Sequence, residues 1–369
     1  MRTHPAQSTL LHLALAATLT ACSNLPPETA TPQPSATPNA TSAPSPPDWN
    51  QEGVPRIIAD AERMRVVVKS EAAQQFLAQA PLLPRISTRA LFRTADKSRY
   101  YTEAQAAALP ESEKATLQPF SATEEVYYTT TYGSPISYAR PIDILSANGA
   151  SLQTGTKLLD FGYGYIGHLR LFATMGLHTT GIEVNPLLPA LYSLPTDTGS
   201  IAGQNGEKGS IQLLDGSFPS NTDLVRQVGS GYNVLISKNV LKKGYIHPER
   251  PVPHPERQIN LGVSDEVAIK AFFDALSPGG LFLIYNICPA PTPPDKPFVP
   301  WSDGRSPFTR AQLEAGGFQV VEFDKDDTEA VRTMGRALGW DQPFQGEPGM
   351  DLVNDLAVLY TLVRKPKSP

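Results

Sequence analysis

Hydrophobic and polar positions divide this chain into three regimes. An apolar segment from Leu10 to Leu19 follows Arg2 and His4; it is too short to span a bilayer as a stable helix and has the length of a secretory signal. From Ser23 to Asp48 there is almost no large apolar side chain. That Pro, Thr, Ser and Ala mixture cannot bury enough surface to fold, and its prolines favour an extended, stiffened tether. Periodic patterns begin after residue 50. Ile57, Ile58, Ala61 and Met64 recur at helical spacing, Ser70 is placed to cap a helix through Leu77, and Thr102 with Gln105 forms a capping box before Ala106.

The stretch from Lys157 to Pro186 changes period twice. Leu158 and Leu159 end an apolar strand that Asp160 closes; Gly162, Gly164 and Gly167 follow, and then Leu169, Phe172 and Ala173 share one helix face that Gly176 terminates. A second strand runs through Thr180 and Ile182 to Glu183. This is a strand, a tight turn, a helix and a strand. Glycines let the backbone turn sharply beside a ligand, and the helix starting there offers free N–H groups with a partial positive charge. A carboxylate at the tip of the next strand suits a ribose diol, and Glu183 is that carboxylate. The same glycine spacing also serves nicotinamide and flavin sites, or a turn with no ligand.

Further strands are expected at Ile211–Leu214, closed by Asp215, and through Asn233–Ser237 to Asn239. Ser264 caps a helix carrying Ile269, Phe272 and Phe273, and Gly279-Gly280 turns the chain into the strand around Leu283. Thr309 and Gln312 form another capping box, Gly316-Gly317 ends that helix, and strands follow at Phe318–Phe323 and Leu356–Val363. The last is expected at a sheet edge. Thr196 to Gly209, rich in Gly, Asn and Ser, is expected to be a surface loop.

With Asp160 directly before the glycine turn and the Leu276–Ile284 stretch downstream, residues 155 to 364 resemble the class I S-adenosylmethionine-dependent methyltransferases. The resemblance implies an α/β, Rossmann-like fold, with a mostly parallel seven-stranded sheet, helices on both faces and an N-terminal, mainly helical extension. It implies S-adenosylmethionine as cofactor, with Asp160, Gly162 and Gly164 flanking its methionine part and Glu183 holding the ribose. Asp215, with Gly216 and Ser217 beside it, matches the adenine position, and Ser237, Lys238 and Asn239 lie at the lip where cofactor and substrate meet. Where the family usually has a third glycine, this chain has Ile166, a side chain expected to narrow the turn.

Charge adds an exclusion. A formal net charge of −5 with both signs interspersed gives no footprint for nucleic acid or for an anionic membrane surface. Cysteine counting adds an anchor. Leu19-Thr20-Ala21-Cys22 looks like a bacterial lipoprotein cleavage box, which implies a lipidated Cys22 at the mature N-terminus, held at a membrane outside the cytoplasm, the outer one where the host has two. Cys288 is then left as a core thiol. The resulting organisation is a signal over 1–21, a tether over 22–50, an extension and expected substrate cap over 51–150 and a methyltransferase-like domain over 151–369.

Two stretches carry further candidates. Tyr127, Tyr128, Tyr132 and Tyr138 stand near Arg140; aromatic faces and a guanidinium suit a cationic or aromatic substrate, and they equally suit a packed core, leaving Tyr132 and Arg140 as substrate candidates. The repeated phrase His247-Pro-Glu-Arg250 and His254-Pro-Glu-Arg257 sits in a loop. Proline beside each histidine works against a compact helical ligand pair, so no metal is expected there, and His247 is the candidate general base. Methyl transfer to a small-molecule or envelope acceptor is one reading. A tethered, non-catalytic envelope module that keeps the same fold is the other, because the export signal carries the domain away from where the cofactor is made. Neither the acceptor nor the oligomeric state follows from these residues.

Overall fold

The computed structural model describes residues 51–129, 133–203, 206–343 and 347–367. Cys22, with the signal and tether, and Tyr132 lie outside the described residues. Eleven strands are present among them: β1 (Arg89–Arg93), β2 (Tyr100–Thr102), β3 (Gln118–Ala122), β4 (Lys157–Phe161), β5 (His178–Glu183), β6 (Gly199–Ala202), β7 (Lys208–Asp215), β8 (Tyr232–Lys238), β9 (Leu276–Cys288), β10 (Gln319–Asp326) and β11 (Ala357–Arg364).

The central sheet has eight strands in the order β10-β11-β9-β8-β4-β5-β7-β6. Strands β7, β5, β4, β8 and β9 run parallel, and β11 is antiparallel to both of its neighbours, β9 and β10. Parallel strands covered on both faces read as near-continuous apolar runs, and alternate residues serve opposite faces. Thus Leu158, Val234, Ile236 and Leu283 enter one core, whereas Leu159, Leu235, Phe282 and Ile284 enter the other. The fold is the doubly wound, Rossmann-like α/β arrangement that the resemblance implies, with three departures.

The sheet has eight strands, not seven. β6 pairs antiparallel with β7 inside the stretch expected to be a loop; Ile201 is its one buried side chain, too little to produce an apolar period. β11 is interior, not an edge strand. Its side chains are buried along most of its length and pair with β9 across Ala357–Arg364, leaving the half-covered, more polar β10 at the edge. The extension is mainly helical, as expected, but it also carries a small antiparallel sheet, β1, β2 and β3 in the order β2-β1-β3, that was not expected. Its first hairpin closes through local polar turn chemistry, with Asp96 accepting from Thr94 Oγ1 and the Ser98 N–H and with Lys97 in the left-handed region.

The expected caps are present at Ser70, Thr102, Ser264 and Thr309, and Gly176 has φ +88° just past the Gly167–Thr174 helix. Side chains of the extension, including Ile57, Met64, Phe76 and Ile142, share one core with Leu158, Phe172 and Leu283. The extension therefore covers one face of the sheet. Its own elements are tied together by carboxylates at helix starts. Glu125 and Glu124 accept from the Gly53 and Val54 N–H groups at 2.6 and 3.0 Å, and Asp143 accepts from the N–H groups of Lys69 and Ser70.

Candidate functional site

The C-terminal ends of the parallel strands are where ligands bind in open α/β sheets, and the glycine turn leaves β4 at that end. Gly162 and Gly164 both adopt left-handed backbone, φ +80° and +64°, which a side chain would strain. A side-chain carbon at 162 would also overlap Val240, so the turn lies directly against the segment after β8. Ile166 does not narrow this turn. Its side chain is fully buried in the core and its N–H donates to Tyr192 Oη at 3.0 Å. Gly167 starts the helix where it passes the Tyr128 carbonyl and Pro135, too close for any side chain.

Glu183, at the tip of β5, is aimed at the turn. Its Oε2 accepts from the Gly164 N–H at 3.1 Å and its Oε1 from the Val184 N–H at 2.8 Å. Burial raises this carboxyl above its ordinary range, the two N–H groups draw it back, and nearby Asp160 raises it further. An ionised carboxylate has about four acceptor positions, so these backbone donors leave capacity for a ligand. Asp215 faces Glu183 in the next strand and is exposed; the Gly216 N–H donates to the Glu183 carbonyl at 2.9 Å.

Behind the turn lies a buried charge cluster. Asp160 is fully buried; its Oδ2 accepts from Tyr138 Oη at 2.9 Å and meets His168 Nε2 at 2.6 Å, and among the described residues its Oδ1 has no partner. The Tyr138 and His168 rings stack at 3.7 Å, 4° from parallel. Burial pulls His168 below its ordinary pKa more strongly than Asp160 lifts it, so a neutral imidazole donates Nε2–H to the carboxylate. Lys238, ending β8, holds its Nζ 5.3 Å from the Tyr138 ring centre. Burial lowers its pKa to about 8, opposed by Asp160 and assisted by Lys242. Ser237 is buried beside it with an unpartnered Oγ. Asn239 has φ +67° and its Oδ1 accepts from the Ile287 N–H at 2.8 Å, which ties the end of β8 to β9.

The other candidates sit apart from this cluster. Arg140 makes a bidentate pair with Asp327, Nε–Oδ2 2.8 Å and Nη2–Oδ1 2.5 Å, and Asp327 also accepts from Tyr285 Oη. His247 is exposed and pairs with Asp265 at 2.9 Å, where Asp265 also accepts from Gln312. In the repeated phrase, Arg250 donates to the carbonyls of Thr292 and Pro293, and the Arg257 guanidinium lies 5.1 Å over the Trp301 ring. The two arginines thereby hold the proline-rich segment after β9 in place. Cys288 is buried and free. Among the described residues no group of three or more His, Cys, Asp or Glu side chains is arranged to hold a metal ion.

Sequence reasoning missed the joint role of Tyr138, His168 and Lys238. One signal was available: a histidine in the first helical turn after a glycine bend returns toward the strand that the bend leaves.

No protein-family model and no curated protein sequence matches the chain. Solved structures align with its fold. The cyclase SpnF shares 16% identity over 66% of this chain and 87% of that one, with a TM-score of 0.36. The Haemonchus contortus phospholethanolamine N-methyltransferase 2, in complex with phosphomonomethylethanolamine and S-adenosylhomocysteine, shares 11% over 81% and 75%, TM-score 0.37. The cyclopropane synthase MmaA2 from Mycobacterium tuberculosis shares 14% over 62% and 85%, TM-score 0.35.

Proposed function

We propose that the chain binds S-adenosylmethionine across the glycine turn and transfers its methyl group to a small-molecule acceptor. The observation that carries this reading is the Glu183 carboxylate meeting the Gly164 N–H at 3.1 Å, on the strand beside the one that ends in the turn. When bound, the cofactor supplies an already activated, electrophilic methyl group. The residues present fit it. Glu183 has acceptor positions for the ribose hydroxyls, Asp215 stands at the adjacent strand tip for the adenine, and the unpartnered Asp160 Oδ1 suits a cationic amino group.

The chain's own contribution is to bind, to orient and to move one proton. Tyr138 and His168 fix Asp160 through the same oxygen, and among the described residues the other has no partner. Lys238, at the lip of the site and lowered to about 8, takes the proton from an acceptor that carries one. Calorimetric titration with S-adenosylmethionine, S-adenosylhomocysteine and NAD tests the reading. Uptake of the first two, and its loss in Glu183→Ala with folding intact, is the expected result; uptake of NAD alone, or of none, rejects it.

The location is part of the same proposal. Cys22 carries the lipid as the mature first residue and the Pro-rich segment holds the domain away from an extracytoplasmic membrane face; the cleavage box and tether composition support this. Labelled fatty acid should enter the wild type and not Cys22→Ala. Equal labelling of both removes the anchor.

A further inference from the structure

On the flank of the Gly167–Thr174 helix, away from the turn, Arg170 is only 6% exposed, yet among the described residues no carboxylate lies within ion-pair distance of it. Its Nη2 donates to the carbonyls of Thr196 and Asp197 at 2.8 and 3.1 Å, and its buried Nε has no acceptor. The nearest explanation for such a cation would be Asp197. That carboxylate is already filled: Arg89 donates to both oxygens at 2.7 Å, Tyr127 Oη donates at 2.8 Å and the Leu194 N–H at 2.9 Å. Two guanidiniums thus share a region with one saturated carboxylate. Glu207, whose Oε2 is also unpartnered, makes no ion pair with Arg170. A buried, uncompensated charge with an unmade hydrogen bond is costly, and such charges are ordinarily paired.

Arg170 lines a solvent-open cavity of about 430 Å³, within the size range of small-molecule sites. Leu82 and Pro84 from the extension form one wall; Thr198, Ser200 and Ile201, around β6, form another. The lining is one cation, a few hydroxyls and apolar surface. A polyanion such as a polyphosphate would need more cations than Arg170 alone. We infer that this cavity is a second small-molecule site, which takes a monocarboxylate carrying a short apolar chain, its carboxylate on Arg170 and its chain between Leu82 and Ile201. The inference is independent of methyl transfer.

The test is calorimetric titration of the full chain with hexanoate, with 1-hexanol as neutral isostere and with inorganic phosphate. Hexanoate is expected to bind at least ten times more tightly than 1-hexanol, and Arg170→Gln to weaken it at least tenfold. Because Arg170 also holds the Thr196 and Asp197 carbonyls, a second variant is needed. Ala202→Trp, at the exposed rim of the cavity, should abolish hexanoate binding while leaving the melting temperature and Arg170 in place. No hexanoate uptake, equal uptake of 1-hexanol, preference for phosphate, or unchanged binding in Ala202→Trp would each overturn the inference.

Discussion

Two buried carboxylates in this molecule are treated in opposite ways. Asp197 is 1% exposed and receives four donors, from Arg89 twice, Tyr127 and the Leu194 N–H, so both oxygens are saturated. Asp160 is equally buried, but its two donors crowd onto one oxygen and among the described residues the other has none, while an ammonium with a lowered pKa stands nearby. The first arrangement joins the extension to the segment after β5. The second leaves polar capacity unused at the end of the sheet where ligands bind, a cost that folding alone does not repay. Saturation marks a joint, and a deficit marks a site.

The sharpest way to break this contrast is to remove each charge in turn. Asp197→Ala strands a partly buried guanidinium and a tyrosine hydroxyl, and should cost about 3–5 kcal/mol in denaturant unfolding. A loss below about 1 kcal/mol, the range of an exposed pair, would show that the junction is not structural. Lys238→Met should act in the other direction and more weakly, raising the melting temperature at neutral pH, because it deletes a charge that burial disfavours.

The pH dependence fixes the sign. The folded-state pKa of Lys238 is depressed from 10.5 to about 8, so between those values the unfolded chain holds the extra proton and wild-type stability rises with pH; below about 8 the penalty is constant. The methionine variant should lack that rise. Methyl transfer to a protonated acceptor should climb through about pH 8 in the wild type and fall by a factor on the order of 10²–10⁴ in the variant. A variant that melts lower, with the activity profile unchanged, would make Lys238 a structural residue.

What was legible in the chain was local. The glycine turn, the helix caps at Ser70 and Thr309, and the apolar strands around Leu159, Leu235 and Leu283 each announce themselves within a few residues. β6 was hidden because Ile201 is its only buried residue, and the interior place of β11 depends on pairing with β9 from far away in the chain. The Asp160 cluster was hidden for a related reason. Tyr138, Asp160, His168 and Lys238 come from a turn, two strands and a helix, and no short window contains them all. Arg140 and Asn239 show the converse: residue types that suit ligand binding are here occupied by Asp327 and by the Ile287 N–H.

Residues 57, 64, 76 and 142 lie in the same hydrophobic interior as the strands of the central sheet. An expression fragment trimmed to start at residue 151 would therefore bare a greasy layer of β4, β8 and β9 to water and invite aggregation. A fragment that keeps Gly53, whose N–H is held by a carboxylate more than seventy residues further on, keeps that layer covered.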